Sequence, residues 1–107
     1  MNNQENKISI VIIGYNTASY LSKTLKAINE LQAHQEYIEV IYIDDGSTDK
    51  SCDVFNTTTL NYRKKMFKLK ENRGRVIARS KGVELAKYDW ILFLNSNIVV
   101  NKDLIVK

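Results

Sequence analysis

The stretch that most constrains the fold is Ile38–Asp49, IEVIYIDDGSTD, where a short apolar run ends in two carboxylates and a turn. Its residues Val40–Ile43 are β-branched or aromatic, which is typical of a strand buried on both faces. Asp44 and Asp45 stand where this strand leaves the sheet, and Gly46 permits a tight turn. Because the carboxyl ends of the strands form the ligand crevice of an open α/β sheet, the two acids are either turn formers or ligand contacts.

Strand-like and helix-like patterns alternate along the chain. Apolar runs predict strands at Lys7–Ile13, Ile38–Ile43, Met66–Leu69 and Trp90–Leu94, and a short further strand at Ile98–Val100. Helical spacing predicts helices from Thr17 or Ser19 to Gln32, over Lys50–Asn56 and over Arg75–Lys87. This alternation indicates a mainly parallel sheet with helices on both faces and right-handed crossovers. We therefore predict an α/β, Rossmann-like fold that is truncated after the fourth strand.

Individual side chains have predictable places in such a fold. Caps are predicted at Thr17 or Ser19 for the first helix and at Ser47 or Thr48 for the second, with Asp49 in its first turn. Apolar side chains at helical spacing are expected to form one buried stripe on the first helix, namely Tyr20, Leu21, Leu25, Ile28 and Leu31. On the third helix Val76, Ala78 or Arg79, Val83 and Ala86 are expected near one face, and Trp90 is expected in the core. The basic run Arg63–Lys65 is expected to form a solvated edge.

Length and charge narrow the class of protein. The 107 residues suffice for one compact domain, and we treat residues 1–107 as a fragment of a longer protein. The net charge of +4 suits an anionic ligand such as a nucleotide but is too mild to favour nucleic acid. The N-terminus is polar, no apolar run approaches the roughly 18 residues of a membrane span, and a single Cys52 excludes an intrachain disulfide. We expect a cytoplasmic location, with the inner membrane face as an option for the parent protein.

The common nucleotide and metal motifs are absent from the sequence. It contains neither G-x-G-x-x-G nor G-x-x-x-x-G-K-[ST], which argues against a dinucleotide fingerprint and a P-loop. No His and Cys residues have the spacing of a zinc site, and the only histidine, His34, lies in a predicted connection.

Four sequence blocks carry a positive signal: VIIGYNTASYL, IYIDDGSTDKS, ENRGRVIARSKG and WILFLNSN. In order and spacing they resemble the family 2 glycosyltransferases of the GT-A fold. Members of that family typically read V-I-I-P-x-Y-N, V-V-D-D-G-S-x-D-x-S and E-N-x-G-x-x-x-A-R-N-x-G, followed by a strand that ends in D-x-D. The blocks cover almost the entire chain, so the match is specific. Here Gly14 replaces the usual proline, which we expect to leave that loop freer.

The resemblance implies a donor site for a nucleoside diphosphate sugar, usually a UDP sugar, across the strand ends. Tyr15 matches the aromatic residue beside the base, and Asp45 matches the carboxylate that accepts a hydrogen bond from the base, with Asp44 supporting it. Asn72 and Arg79 match residues that line the donor site. These assignments agree with the preference of carboxylates for N–H donors and of arginine for phosphate.

The metal motif departs from the family pattern. Asn95 and Asn97 occupy the two acidic positions of D-x-D, whose carboxylates normally hold Mn²⁺ or Mg²⁺ on the diphosphate. Amide side chains carry no formal charge, so they bind a divalent ion too weakly to offset the free energy of removing its water ligands. We therefore expect the family's divalent metal to bind weakly at these positions, and a polar turn without any metal is an equal alternative.

The resemblance leads to the hypothesis of the nucleotide-binding half of an inverting glycosyltransferase. The acceptor, a saccharide or other hydroxyl compound, and the general base would come from a missing C-terminal half, so the isolated chain is expected to be inactive. Three alternatives stay open. They are a non-catalytic nucleotide-binding or scaffold domain, an interaction module that self-associates through an exposed sheet edge, and a phospho-acceptor receiver domain. The last is disfavoured because its acids should follow the first strand.

Overall fold

A computed structural model describes residues 7–94 and, for the backbone alone, residues 98–101. The strands are β1 (Ile8–Gly14), β2 (Ile38–Asp44), β3 (Arg63–Lys68), β4 (Trp90–Phe93) and β5 (Ile98–Asn101). The helices are α1 (Leu21–Asn29), α2 (Ser51–Thr57) and α3 (Arg75–Leu85), with one 3₁₀ turn at Gln35–Tyr37. No helix in these described ranges is long and apolar enough to cross a bilayer.

The strands form one sheet in the order β3-β2-β1-β4-β5. The first four are parallel, with Ile8 opposite both Ile38 and Trp90 in the register, and β5 runs antiparallel to β4. This arrangement confirms the prediction of a mainly parallel α/β sheet. The short further strand is present as β5, and it extends the sheet by one strand beyond the four parallel ones.

Two apolar cores cover the two faces of the sheet. One packs α1 and α2 against β1 and β2 around Leu25, Tyr42 and Phe55. The other packs α3 against the opposite face around Ile41 and Val83. Because β1 and β2 lie inside the sheet with helices on both faces, nearly every residue of both strands is buried. Their continuous apolar runs are a direct consequence of this position.

The helix boundaries correct several expectations. α1 ends at Asn29, well before Gln32, and no side chain caps its start. The backbone carbonyl of Thr17 accepts the N–H groups of Tyr20 and Leu21 there. α2 begins at Ser51, so the caps expected at Ser47 and Thr48 are wrong, and Asp49 precedes the helix and accepts the N–H of Ser51.

The core prediction is confirmed in part: Leu21, Leu25, Ile28, Val83 and Ala86 are buried. It is wrong for Tyr20, Leu31, Val76 and Trp90, which are exposed. Trp90 is 39% exposed at the first position of β4, and Val76 is 75% exposed in the first turn of α3. Tyr20 and Leu31 flank α1 outside its helical turns. Spacing along the chain predicts which face of an element is buried, but it does not predict that side chains at the ends of the element are exposed.

The basic run Arg63–Lys65 does more than solvate an edge. Lys64 Nζ donates to the carbonyls of Phe55, Asn56 and Thr58 at the end of α2, which satisfies groups that a helix end leaves unpaired. Lys65 Nζ lies 3.2 Å from Oε1 of the buried Glu39 and donates to the carbonyl of Leu85. Two of the three cations therefore hold β3 to the helices on either face.

Glu39 is the centre of a buried polar cluster near the amino end of β2. Its Oε2 accepts hydrogen bonds from the Ser9 hydroxyl and from the Lys87 backbone N–H, at 2.6 Å for the latter. The Ser9 oxygen in turn accepts the N–H of Tyr88, so the segment between α3 and β4 is tied to β1 and β2. A buried carboxylate is tolerated here because it has both a cation and neutral donors.

Glu39→Ala is predicted to destabilise the fold by about 3 kcal/mol, because it leaves buried donors unpaired and removes the partner of Lys65. Urea denaturation of wild type and variant measures the difference in the free energy of unfolding. Glu30→Ala, which removes an exposed carboxylate just after α1, serves as the control and should change stability by less than about 0.5 kcal/mol. Equal stability of the two variants would contradict the structural role of Glu39.

Candidate functional site

The two adjacent acids at the end of β2 have different roles. Asp44 is fully buried, and its Oδ1 accepts hydrogen bonds from the hydroxyls of Tyr42 and Ser47 at 2.7 Å each. Its Oδ2 accepts the backbone N–H of Ser47 at 2.7 Å, which closes the turn after the strand. The turn passes through Gly46 at φ 81°, as expected from the sequence. Asp44 is therefore a turn former inside the protein.

A chain of hydroxyl groups extends from Asp44 to the loop after β1. The Tyr42 hydroxyl lies 3.0 Å from Thr17 Oγ1, and Ser51 Oγ accepts the Thr17 backbone N–H at 2.7 Å. Asn16, whose φ of 55° is left-handed, accepts the N–H groups of Thr48 and Asp49 with its side-chain oxygen. The loops after β1 and β2 are thus fastened to each other, which fixes the backbone next to Tyr15.

Gly14 fits against this cluster. A Cβ atom there would lie 2.8 Å from both the Tyr42 hydroxyl and Thr17 Cγ2, so only glycine leaves the room that these side chains fill. The carbonyl of Gly14 accepts the Asp45 N–H at 2.8 Å. The expectation that Gly14 leaves the loop freer is therefore wrong, because the residue is packed and hydrogen-bonded.

Asp45 faces the loop that precedes α3. Its Oδ1 accepts the Arg73 N–H at 2.7 Å and its Oδ2 accepts the Gly74 N–H at 3.0 Å. Gly46 allows this approach, since a Cβ atom there would lie 2.5 Å from the backbone nitrogen of Asn72. Each oxygen of a carboxylate can accept more than one hydrogen bond, so Asp45 keeps acceptor capacity for a ligand.

A cleft of about 310 Å³ opens beside Asp45 at the carboxyl ends of the strands. It is lined by Ile13, Gly14, Tyr15, Tyr20, Asp45, Asn72, Gly74 and Arg75. Three of the predicted site residues, Tyr15, Asp45 and Asn72, therefore meet at one cavity. Tyr15 is 47% exposed, which leaves part of its ring free for contact with a ligand.

Arg79 lies beside the strand that leads to the amide motif. Its guanidinium carbon is 5.7 Å from the centre of the Phe93 ring near the end of β4. Its Nε atom is buried and has no hydrogen-bond partner in the described part of the chain, which leaves one donor for an anion. The residue does not line the 310 Å³ cleft, so the structure does not bring it together with Tyr15 and Asp45.

The two amides predicted to replace the metal ligands, Asn95 and Asn97, lie outside the described residues. In the ranges that are described, no group of three or more His, Cys, Asp or Glu side chains is close enough to hold a metal ion. The donor set of two amides suits a divalent cation poorly, since Mg²⁺ and Mn²⁺ prefer carboxylate oxygens. These two amide side chains therefore fit a divalent metal ion poorly.

Tyr20 and Arg75 also line the cleft, although the sequence did not predict them as site residues. Tyr20 is 54% exposed between the first loop and α1, and Arg75 is the first residue of α3. Tyr20 lies in the block VIIGYNTASYL together with Tyr15, and Arg75 lies in ENRGRVIARSKG between Asn72 and Arg79. The spacing of Tyr20 matches the apolar stripe and predicts a core position, and the sequence around Arg75 indicates only the start of a helix.

Comparison with known proteins gives one consistent family. The profile described as "Glycosyl transferase family 2" matches residues 9–107. An uncharacterized glycosyltransferase of Haemophilus influenzae is 40% identical over 102 residues, which cover 94% of this chain and 40% of that protein. The chain thus spans well under half the length of this curated relative.

Solved structures share the fold. S. aureus TarS in complex with UDP has a TM-score of 0.77 at 24% identity, over 82% of this chain and 26% of that one. A mannosyltransferase from Pyrobaculum calidifontis, in complex with GDP-Man and Mn²⁺, has a TM-score of 0.75 at 20% identity, over 79% and 26% of the two chains. Both likenesses show the α/β fold of this chain.

Tyr42 makes the stability of this cluster depend on pH. Burial is the main cause that raises the pKa of Tyr42 well above its ordinary value of 10.0, and the neighbouring Asp44 adds to it. Because the unfolded tyrosine ionises first as pH rises, the folded state holds the proton longer and stability falls above pH 10. The loss amounts to about 1.4 kcal/mol per pH unit for one proton.

Tyr42→Phe is predicted to make the fall in stability above pH 10 shallower by about one proton. It should also lower stability at neutral pH by about 1–2 kcal/mol through the lost hydrogen bond to Asp44. Denaturant titration at several pH values measures both effects. Tyr20→Phe, at an exposed tyrosine, is the control, and the same pH slope in the two variants would contradict the assignment.

Proposed function

The chain belongs to glycosyl transferase family 2, and on that premise we propose that its cleft binds the nucleotide of a nucleoside diphosphate sugar. The observation that carries the proposal is the meeting of Tyr15, Asp45 and Asn72 at one cleft at the carboxyl ends of parallel strands. We expect a UDP sugar as the donor, in keeping with the complex of UDP with the fold neighbour TarS.

In this proposal the Asp45 carboxylate and the Tyr15 ring contact the nucleotide base. Asp45 lies in a fixed position because two backbone N–H groups bind its carboxylate, and its remaining lone pairs can accept a base N–H. Tyr15 offers part of its ring surface for contact with the base. Asp44 contacts no ligand in this proposal, and it acts by holding the turn that positions Asp45.

The diphosphate is neutralised by arginines. Arg75 lines the cleft and Arg79 has a buried Nε without a partner in the described part of the chain, so both can donate to phosphate oxygens. Asn72 lies between the base site and α3 and can add an amide contact. Leaving-group charge in such a displacement must be stabilised, and guanidinium groups do this without a metal ion. Any contribution of Asn95 and Asn97 to a metal would be weak.

The complete reaction is proposed for the longer protein. It would transfer a sugar to an acceptor hydroxyl with inversion at the anomeric carbon, while a general base removes the acceptor proton. We place the acceptor site and the base in the part of the relatives that this chain does not match, and treat residues 1–107 as one cytoplasmic donor-binding domain. Sustained sugar transfer by the isolated chain would contradict this division.

A second function is favoured by one observation. The amides at Asn95 and Asn97 stand where the family has carboxylates, so the chain could bind a nucleotide without taking part in transfer. Such a domain would keep Tyr15, Asp45 and Asn72 in use and would bind UDP without metal. The readout that separates the two functions is metal dependence of binding and of turnover in the parent protein.

Asp45→Asn is predicted to weaken UDP binding at least tenfold, because the amide lacks the negative charge of the carboxylate that accepts the base N–H. The substitution also disturbs the hydrogen bonds from the backbone N–H groups of Arg73 and Gly74. Calorimetric titration with UDP at constant salt measures the affinity. Asp53→Asn is the matched control, since Asp53 is exposed on α2 and should leave binding unchanged. Wild-type affinity in the Asp45 variant would overturn the proposed base site.

The double variant Asn95→Asp and Asn97→Asp is predicted to bind Mn²⁺ at least tenfold more tightly in the presence of UDP, since carboxylates supply the missing charge. Manganese binding is read from the electron paramagnetic resonance signal of the free ion. Asn56→Asp with Gln32→Glu adds the same charge at exposed positions and controls for general attraction. An unchanged affinity in the first variant would show that the amides are not what limits metal binding.

A further inference from the structure

We propose that a second cleft, at the amino ends of the parallel strands, is a binding site for a phosphate-bearing anion. This cleft has a volume of about 660 Å³. Its lining includes the cations Lys7, Arg63 and Lys87 together with Tyr88 and Glu36. The surface is mainly polar, unlike the apolar groove beside α1 that Leu21 and Leu92 line.

The position of the cleft separates it from the donor site. Lys7 precedes β1, Ile38 begins β2, Arg63 begins β3 and Tyr88 precedes β4, so four parallel strands present their amino ends to it. The donor cleft lies at the carboxyl ends, and the two cavities share no residue. Seven residues of β1 span roughly 20 Å, so a ligand in one cavity does not reach the other. The inference is independent of the proposed function.

Three cations around this cleft have no anionic partner among the described residues. In the portion of the chain that is described, the ion pairs join Lys65 to Glu39, Arg73 to Glu71 and Lys81 to Glu84. Lys7, Arg63 and Lys87 take part in none of them. Glu36 is the one acidic side chain in the lining, so three positive charges and one negative charge leave a local excess of two positive charges.

The Tyr88 ring lies close to two of these cations on one side of the cleft. The Nζ atoms of Lys7 and Lys87 lie 5.7 and 5.6 Å from the centre of its ring, within the range of cation–π attraction. The Tyr88 hydroxyl donates to the Glu36 carbonyl at 3.0 Å and its N–H donates to Ser9, so the ring is fixed at both ends. The two ammonium groups are therefore partly oriented before any ligand arrives.

The chemistry of the lining suits a phosphate group. Arg63 supplies a planar fork of donors and the two lysines supply compact charges, which together match the several oxygens of a phosphate group. A phosphate group carries nearly two negative charges, which balance the local excess of two positive charges. Gln35 and Asn61 add amide groups, and the small apolar share of the surface gives no place for a hydrocarbon chain. The same phosphate chemistry is found in free phosphate and in lipid headgroups.

The test uses the 107-residue chain labelled with ¹⁵N and titrated with inorganic pyrophosphate at low salt. Backbone amide shifts report each cleft separately, through Arg63 and Tyr88 at one and Tyr15 and Asp45 at the other. A parallel titration uses vesicles of phosphatidylcholine mixed with phosphatidylglycerol. If no shifts occur at the donor cleft, binding at the second cleft can still be measured. Binding at the donor cleft can likewise be measured if the second cleft shows no shifts.

Saturable shifts at Arg63 and Tyr88 are expected, and the double variant Arg63→Ala and Lys87→Ala should weaken the affinity about tenfold. The Lys87 backbone contact to Glu39 is kept in that variant. Glu36→Gln should strengthen binding about twofold to threefold, because it removes the opposing charge. Lys23→Ala with Lys26→Ala removes two exposed charges from α1 as the matched control and should leave the affinity unchanged.

The outcomes divide clearly. Charge-dependent binding of pyrophosphate alone supports the site with a free phosphate compound as ligand, and binding of the anionic vesicles with the same dependence supports it with a lipid headgroup. Equal weakening by the α1 control variant would mean that binding follows net charge and overturns the site. So would shifts that fail to saturate or that are absent at Arg63 and Tyr88.

Discussion

The buried carboxylate of Asp44 is the constraint on which the candidate site depends. It has no exposure to solvent, and its three hydrogen bonds come from the chain's own Tyr42 and Ser47. A charge in this position is tolerated only because these donors surround it. The turn they enforce directs the next residue, Asp45, towards the loop before α3 and the donor cleft. Removing the anchor would therefore disturb the base site without touching it directly.

A second buried carboxylate stabilises the opposite end of the same strand. Glu39 lies five residues before Asp44 on β2 and ties β1, β3 and the segment after α3 together through Ser9, Lys65 and Lys87. Parallel strands need such fastening at both ends, because their connections are long and no hairpin sets their register. The two acids fix the ends of the central strands, and the two clefts lie at these ends. Rigid strand ends are what a binding site requires.

The sequence predicted the fold from particular signals. The continuous apolar runs of β1 and β2, separated by helical spacing, led to a parallel sheet that the structure and its fold neighbours confirm. Such runs arise because interior strands are covered on both faces, so a continuous run of apolar residues indicates an interior strand. Trp90 shows the limit of this reasoning. It opens an apolar run, yet it is exposed at the first position of β4, and residue spacing alone does not predict exposure at the end of an element.

The site was partly predictable for similar reasons. Consecutive residues of a strand point to opposite faces, so Asp44 had to share a side with Tyr42 and Asp45 had to face away. This rule separates the turn former from the candidate ligand contact. The partners of Glu39 could not be predicted, because Lys65 and Lys87 are distant in sequence and meet it only through the sheet order. The roles of Tyr15 and Asn72 came from family resemblance, and the cleft brings both beside Asp45.

The most direct measurement is a crystal structure of this chain with UDP bound. We predict that the uracil ring lies against Tyr15, with its N3–H donating to the Asp45 carboxylate while Asp44 keeps its hydrogen bonds to Tyr42 and Ser47. A complex in which UDP lies outside this cleft, or in which the base makes no contact with Asp45, would contradict the central claim that the second acid of the pair reads the nucleotide.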